Sequence, residues 1–389
     1  MRVALFTDSD VFAGTERHIV ELARALSDQG ISISIACPSA SPLNRFAEDL
    51  GLGMIRIEKR GLFDMGAVVK LRRLLARGII DVIHAHNGRT ALAAAAAGSL
   101  AGRGAIVATQ HFIDPAHAGR VGWRSRLSHG AHRWVQNHTH QYIAVSDAAK
   151  RAMVERERRL AGKVSLVPNG IFAPKPATLV PPHEVRLQLG VPPDALLIVC
   201  VARLAKEKDV SVLVAAMETV AAQFPDVRCV IAGDGPERDA VERQVREGKC
   251  GGQIVLAGFC KDALSIINAA DVFVLPSRAE PFGLVLLEAM ALAKPVVSTA
   301  AGGPLEIVKD GETGLLVPPG DPAAIADAII QFLRDPDFRR TAGGNGLSRF
   351  QRQFTAGTMA AATLRVYEQA LGARGVIMPI MEEGKCESC

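Results

Sequence analysis

DVFVLPSRAEPFGLVLLEAMALAKPVVS, residues 271–298, places two apolar runs on either side of a polar loop and a helical pattern. Residues 272–275 are an unbroken apolar run of strand length. From Leu284 onward, Leu284, Leu287, Met290 and Ala291 recur at spacings of three and four, which is one face of a helix. Pro295 opens the second run, 295–298. Strand, helix, strand in so short a span predicts a parallel βαβ unit. The loop between the first strand and the helix carries Glu280, Pro281, Phe282 and Gly283.

The same alternation extends outward. Strands are predicted at 196–201, 227–232 and 254–257 in this half, and at 3–7, 31–36, 82–86, 106–109 and 143–145 in the other. In the first half Ile19, Leu22, Ala23 and Leu26 mark a helix face, and Gly30 stands where a left-handed cap is expected. Pro168, Pro174, Pro176, Pro181 and Pro182 punctuate the stretch between the halves, the composition of a linker. The expected class is therefore α/β, with two doubly wound domains, 1–172 and 173–349. A helix at 350–371 and a weakly structured tail at 372–389 follow. Such sheets bind ligands beyond the carboxyl ends of their strands, so two facing sheets make a deep interdomain cleft.

The chain of 389 residues is 49% apolar and 22% charged, enough for two cores. No apolar run reaches the roughly 18 residues of a membrane span, and residues 1–6 lead into a strand rather than a signal peptide. The expected compartment is cytoplasmic. Cys37, Cys200 and Cys229 sit in apolar runs and read as reduced core residues, while Cys386 and Cys389 form a lone CxxC in the tail. A net charge of +5 does not imply nucleic acid. Basic residues cluster at Arg120, Arg124, Arg126 and Arg133, and again at Lys150, Arg151, Arg156, Arg158, Arg159 and Lys163. Solvated helix faces are the plain reading; attraction to an anionic membrane surface or a lipid-phosphate acceptor is the sharper one.

The chemistry concentrates around 278–292. Gly283 and Leu284 fall at a helix N-terminus after a strand, where free amides and the positive dipole end attract anions. Glu280 precedes that helix and Glu288 lies inside it, so both can face one ligand, and carboxylates suit sugar and ribose hydroxyls. Arg203 and Lys208 follow the strand at 196–201 and suit the charge of a departing diphosphate; Lys206 competes for the lysine role. The Asp8-Ser9-Asp10 triplet offers two carboxylates, a poor all-protein Mg²⁺ site. His84 and His86 alternate on one predicted strand, which points them to opposite faces and argues against a shared metal; His138 and His140 have the same spacing. His18, in GTERH, either lines the cleft or packs.

Together these pieces resemble the retaining GT-B glycosyltransferases of glycosyltransferase family 4. The matching motifs run from Arg2 to Asp321. They include Gly14-Thr15-Glu16, DVIHAH at 81–86, ATQHF around His111, VPNG at 167–170 and the Arg203 to Lys208 spacing. GDGPE at 233–237, ADVFVLPS at 270–277, the Glu280 and Glu288 pair and GGPLEIV at 302–308 complete the set. The chain departs from the family pattern at Ala13, where a first glycine is common, at Phe112 and Ile113 before Asp114, and at Phe172 after VPNGI.

The resemblance implies a GT-B fold of two Rossmann-like domains, with the helix at 350–371 crossing back onto the first. It implies transfer of a hexose from a UDP- or GDP-sugar to a glycan or lipid-linked acceptor, in cell-surface polysaccharide or lipopolysaccharide synthesis. No cofactor and no metal are expected, since the nucleotide sugar is a co-substrate. Arg203 and Lys208 would bind the diphosphate, Glu288 the ribose and Glu280 the donor sugar. The amides of Gly283 and Leu284, beside Phe282, would hold sugar or phosphate. Gly14 would admit the phosphate, His111 would lie near the transferred sugar, and Phe259 with Cys260 would flank the base. The expected partners include peripheral contact with the inner face of a membrane. Alternatives are a phosphorylase or epimerase on the same fold and a non-catalytic nucleotide-sugar sensor. Glu280 as a nucleophile is the competing role to hydroxyl binding.

Overall fold

The structure is a computed structural model describing residues 1–58, 64–111 and 123–373, with backbone alone given for 123–129. Seven strands form the first sheet: β1 (Arg2–Phe6), β2 (Ser32–Pro38), β3 (Gly53–Ile57), β4 (Val82–Ala85), β5 (Ala105–Gln110), β6 (Gln141–Ala144) and β7 (Val164–Leu166). All their pairings are parallel, in the order β3-β2-β1-β4-β5-β6-β7. Six strands form the second: β8 (Leu197–Val201), β9 (Arg228–Ala232), β10 (Ile254–Gly258), β11 (Val272–Leu275), β12 (Val296–Thr299) and β13 (Gly314–Val317). Their order is β10-β9-β8-β11-β12-β13, again parallel throughout.

The strands are short apolar runs because both faces of each sheet are covered. In the first domain one face packs on the helices Met65–Ala76 and Gly88–Ala101; the other packs on Gly14–Asp28 and Ala356–Gly372. The second domain is built the same way. In both sheets the strand order reverses at the centre, between β1 and β4 and between β8 and β11. A doubly wound sheet opens its ligand crevice at that reversal, beyond the carboxyl ends.

The chain crosses between domains twice, at one place. Ile171 bridges Thr355; Ile171 N donates to Phe354 O at 3.1 Å and Ala356 N to Ile171 O at 2.8 Å. Gly170 allows the approach, since a Cβ there would lie 2.2 Å from Thr355 O. The single helix predicted at 350–371 is two helices instead, Pro336–Gln353 and Ala356–Gly372, interrupted at this crossing. Phe350 and Phe354 pack in the second domain, whereas Ala356, Met359 and Tyr367 pack in the first. The tail, including Cys386 and Cys389, lies outside the described residues except for its first two members.

Candidate active site

The second-domain wall is made by the loops after β8 and β11, the two strands at the reversal. They are tied together by side chains. Lys208 Nζ donates to Glu280 Oε2 at 2.5 Å, and Ser277 Oγ to the same oxygen at 3.2 Å. Arg278 Nε pairs with Asp209 Oδ2, and Arg278 N donates to Glu207 O at 2.9 Å. Asp209 holds a left-handed backbone, φ 48°, that a non-glycine residue avoids; its carboxylate is held by Arg278 and by Ser211 Oγ. Glu280 is 6% exposed, so a carboxylate this deep is compatible with folding because Lys208 neutralises it. Arg203 stands apart: it is exposed and paired with Glu207 at 2.5 Å.

Between these groups the helix Leu284–Ala291 begins. Gly283 precedes it with φ 103°, a conformation that side chains disfavour. Leu286 N closes the first turn on Gly283 O at 2.9 Å, which leaves the amides of Gly283 and Leu284 at the open start of the helix, beside Glu280. Phe282 does not line this space with its ring. It is buried against Phe354, with centroids 6.3 Å apart, so only its backbone borders the site. Phe259 is 74% exposed just past β10, with Cys260 behind it. Gly14 starts the facing helix Gly14–Asp28, and a Cβ there would meet nothing within 4 Å; packing does not require glycine at this position.

Glu288 lies further along its helix, toward the first domain. Loss of hydration pushes its carboxyl up to about 7; Arg17 pulls it down and Glu21 pushes it up further. Both neighbours belong to the facing helix, so Glu288 spans the cleft electrostatically. Arg17 Nε and Glu21 Oε1 pair at 2.7 Å, and Phe172 N donates to Glu21 Oε2 at 2.9 Å, which fastens the first interdomain crossing to this helix. Phe172, where the family pattern has an acid, lies under the Arg24 guanidinium, 4.0 Å from ring centroid to cation.

The first-domain wall holds four histidines. His84 accepts or donates to Tyr367 Oη at 2.7 Å and Thr109 Oγ1 at 2.6 Å. His86 Nδ1 meets His111 Nε2 at 3.3 Å, and the His18 ring stands edge-on to His111 with centroids 4.8 Å apart. The prediction that His84 and His86 face opposite ways is corrected: their centroids are 4.2 Å apart. β4 ends at Ala85, so pleat alternation does not extend to His86. Burial drives His18 down to about 4, with a weak opposing pull from Asn169, and holds His84, His86 and His111 well below the usual imidazole range. All four are neutral at pH 7. His138 and His140 are likewise not an extended pair: His138 ends a helix and stacks on Trp134, and His140 accepts from Ile106 N.

Asp8 is occupied by Arg89 at 2.8 Å and Asn87 Nδ2 at 2.7 Å. In the second basic cluster Arg151 pairs with Asp147 and Arg159 with Glu157, while Lys163 donates to the carbonyls of Gln136 and Thr139. Those cations have local partners. Of the first cluster, Arg120 and the side chains of Arg124 and Arg126 lie outside the described residues, as do Phe112, Ile113 and Asp114. Cys37, Cys200, Cys229 and Cys250 are buried and unbridged.

The structure thus brings Lys208, Glu280, Gly283 and Leu284 into one group, with Glu288 beside the first-domain helix and His111 on the opposite wall. Sequence reasoning passed over Asp209 and Arg278, which fix the loops, and Arg17 and Glu21, which act on Glu288 from the facing helix after burial has raised it. The spacing of Arg17 and Glu21, one helical turn apart on either side of His18, was the available signal. It also passed over Glu306, whose carboxylate accepts from Asp147 N at 2.8 Å and Ala148 N at 3.1 Å across the domain boundary.

Two family models match the chain: Glycosyltransferase Family 4 over residues 12–172 and Glycosyl transferases group 1 over residues 183–349. A phosphatidyl-myo-inositol mannosyltransferase of Mycolicibacterium smegmatis is 29% identical over 94% of this chain and 92% of its own. An alpha-maltose-1-phosphate synthase of the same organism is 32% identical over 74% of this chain and 79% of its own. The crystal structure of Anabaena Alr3699/HepE in complex with UDP-glucose has the same fold, with a TM-score of 0.78 and 23% identity over 95% of this chain and 98% of that one.

Proposed function

Because this chain belongs to glycosyltransferase family 4 of the GT-B fold, and is an enzyme of that kind, we propose that it transfers a hexose with retention of configuration. The donor is a UDP- or GDP-sugar and the acceptor a glycan or lipid-linked sugar, in cell-surface polysaccharide or lipopolysaccharide synthesis. The observation that carries this reading is the Lys208 and Glu280 pair beside the open helix start at Gly283 and Leu284. It supplies a cation, a hydroxyl acceptor and anion-binding amides at one strand reversal. The UDP-glucose in the Anabaena structure supports a nucleotide-sugar donor, and the mycobacterial mannosyltransferase supports transfer of a hexose.

In this reading the donor diphosphate lies between Lys208, Arg203 and the first-turn amides. As the glycosidic bond breaks, negative charge grows on the departing phosphate, and these groups stabilise it more than they stabilise the bound donor. Lys208 then exchanges Glu280 for phosphate, which frees the Glu280 carboxylate for sugar hydroxyls. Arg203 must leave Glu207, a small loss for an exposed pair. Glu288 receives the ribose hydroxyls, and His111, neutral, faces the sugar from the first domain. The departing phosphate oxygen takes the acceptor proton on the same face, so no protein nucleophile is used. Among the described residues no helix is long and apolar enough to cross a membrane.

A thermal-shift panel of nucleotide sugars, followed by product analysis of the ones that bind, tests the reading. A donor at about 100 times its Kd stabilises by about 2.7 kcal/mol. Binding without transfer or hydrolysis over a broad acceptor screen would favour the sensor, and release of free sugar phosphate the phosphorylase.

A further inference from the structure

Three imidazoles converge on the first-domain wall: His18 from the helix Gly14–Asp28, His86 just past β4 and His111 just past β5. One nitrogen from each lies within 4.8 Å of the others. The 3.3 Å between His86 Nδ1 and His111 Nε2 suits a shared proton, but it also suits two lone pairs on one cation. With Zn–N bonds of about 2.0–2.1 Å, a tetrahedral edge is about 3.3–3.4 Å. That pair therefore needs almost no movement to bind a metal, and His18 needs a shift within the span that a side-chain rotation covers.

The unpaired atoms point the same way. Both ring nitrogens of His18 and Nε2 of His86 are buried without a hydrogen-bond partner, a rare condition for buried polar groups. Asn169 Oδ1 is also buried and unpaired. It is close enough to His18 to affect its protonation but misses hydrogen-bond geometry. A metal-bound histidine usually donates its other N–H to a carbonyl or carboxylate, and Asn169 offers that oxygen once His18 turns. His84 stays out of the cluster, since both its nitrogens are engaged, and its ring backs that of His86. His111 is the least enclosed of the three.

We propose that His18, His86 and His111 form a site for one divalent transition metal of the zinc type, with its remaining position open to the cleft. Neutral imidazoles suit Zn²⁺, Ni²⁺ or Cu²⁺ rather than Mg²⁺. The proposed function places His111 beside the donor sugar, and on that reading an occupied site blocks transfer. The site itself does not depend on it.

The test uses the full chain, stripped with EDTA, dialysed and titrated with Co²⁺. The expected result is visible d–d absorption saturating at one ion per chain and lost on adding Zn²⁺. His111→Ala, at the least enclosed of the three positions, abolishes the absorption, and Asn169→Ala weakens Zn²⁺ binding by about 10- to 100-fold. Circular dichroism confirms that each variant is folded. No saturable absorption, absorption unchanged in folded His111→Ala, or a near-ultraviolet sulfur charge-transfer band would each overturn the proposal, the last by placing the ion on cysteine. Donor binding measured with and without Zn²⁺ separates the two readings. Zn²⁺ bound at one site with donor affinity unchanged supports the metal site and overturns the placement of His111 in the donor pocket.

Discussion

Donor affinity is expected to depend on pH through Glu288. Its carboxyl is pushed up to about 7, mainly by loss of hydration. A protonated carboxyl accepts fewer hydrogen bonds, so ribose binding through Glu288 selects the ionised form. If only that form binds, the apparent Kd scales as one plus the ratio of protonated to ionised enzyme. With a pKa of about 7 that predicts a Kd about 10-fold weaker at pH 6 than at pH 8.5, or about 1.4 kcal/mol. Burial holds the histidines on the facing wall below the usual imidazole range, so they do not mimic a rise through 7, and a nucleotide sugar, whose diphosphate is esterified at both ends, keeps its charge. Isothermal titration of a binding nucleotide sugar from pH 5.5 to 8.5, in EDTA, reads the effect. Repeating it near pH 7 in buffers of different ionisation enthalpy should show release of about half a proton per donor bound. Glu288→Gln should bind more weakly and flatten the profile. Affinity independent of pH in the parent enzyme would refute the ribose role. The effect on folding has the opposite sign. A carboxyl raised in the folded state contributes stability below the unfolded value of 4.5, and that contribution is lost as pH rises through about 7. The loss is at most about 3 kcal/mol, less to the extent that water reaches the cleft.

Other changes have distinct readouts. Lys208→Gln should lower kcat/KM by about 10²-fold or more if Lys208 stabilises the leaving phosphate, and should also lower stability, because Glu280 is left buried without its cation. Arg203→Ala should lower the same rate while leaving the melting temperature nearly unchanged, since Arg203 is exposed and its ion pair is with the half-exposed Glu207; a large loss of stability would count against this. Gly170→Ala should destabilise by several kcal/mol in denaturant unfolding, because backbone of the return crossing occupies the space. Glu306→Ala should remove about 0.5–2 kcal/mol of helix-cap stabilisation, read as faster amide exchange at Asp147 and Ala148.

The doubly wound halves were legible because buried parallel strands are nearly pure apolar runs and their helices show one-sided spacing. Three strands escaped. β3, GMIRI, is an edge strand with Arg56 exposed, so its pattern is broken. β7 has three residues, and β13, GLLV, is led by glycine. Each is held by pairing to a neighbour rather than by its own composition. The helix break at Phe354 and Thr355 escaped for a related reason. The local pattern through 350–371 stays helical, and what interrupts it is the other crossing, nearly two hundred residues earlier.

The site divides along the same line. Glu280, Gly283 and Leu284 were legible because a strand end, a glycine and a helix start lie together in sequence. The states of those residues were not. Glu280 is held by Lys208 from a different strand's loop, and the Glu288 carboxyl is raised first by burial and then adjusted by Arg17 and Glu21 in the other domain. The histidines show the limit most clearly. Alternation along β4 sends His84 and His86 apart, yet the strand stops one residue too early for the rule to hold. His84 is then fixed by Tyr367, from a helix that joins the first domain only after the chain has built the second. The return of that helix therefore does more than close the fold. It engages the ring of His84, which backs the cluster, and leaves His18, His86 and His111 facing one another, with both nitrogens of His18 and Nε2 of His86 unpaired.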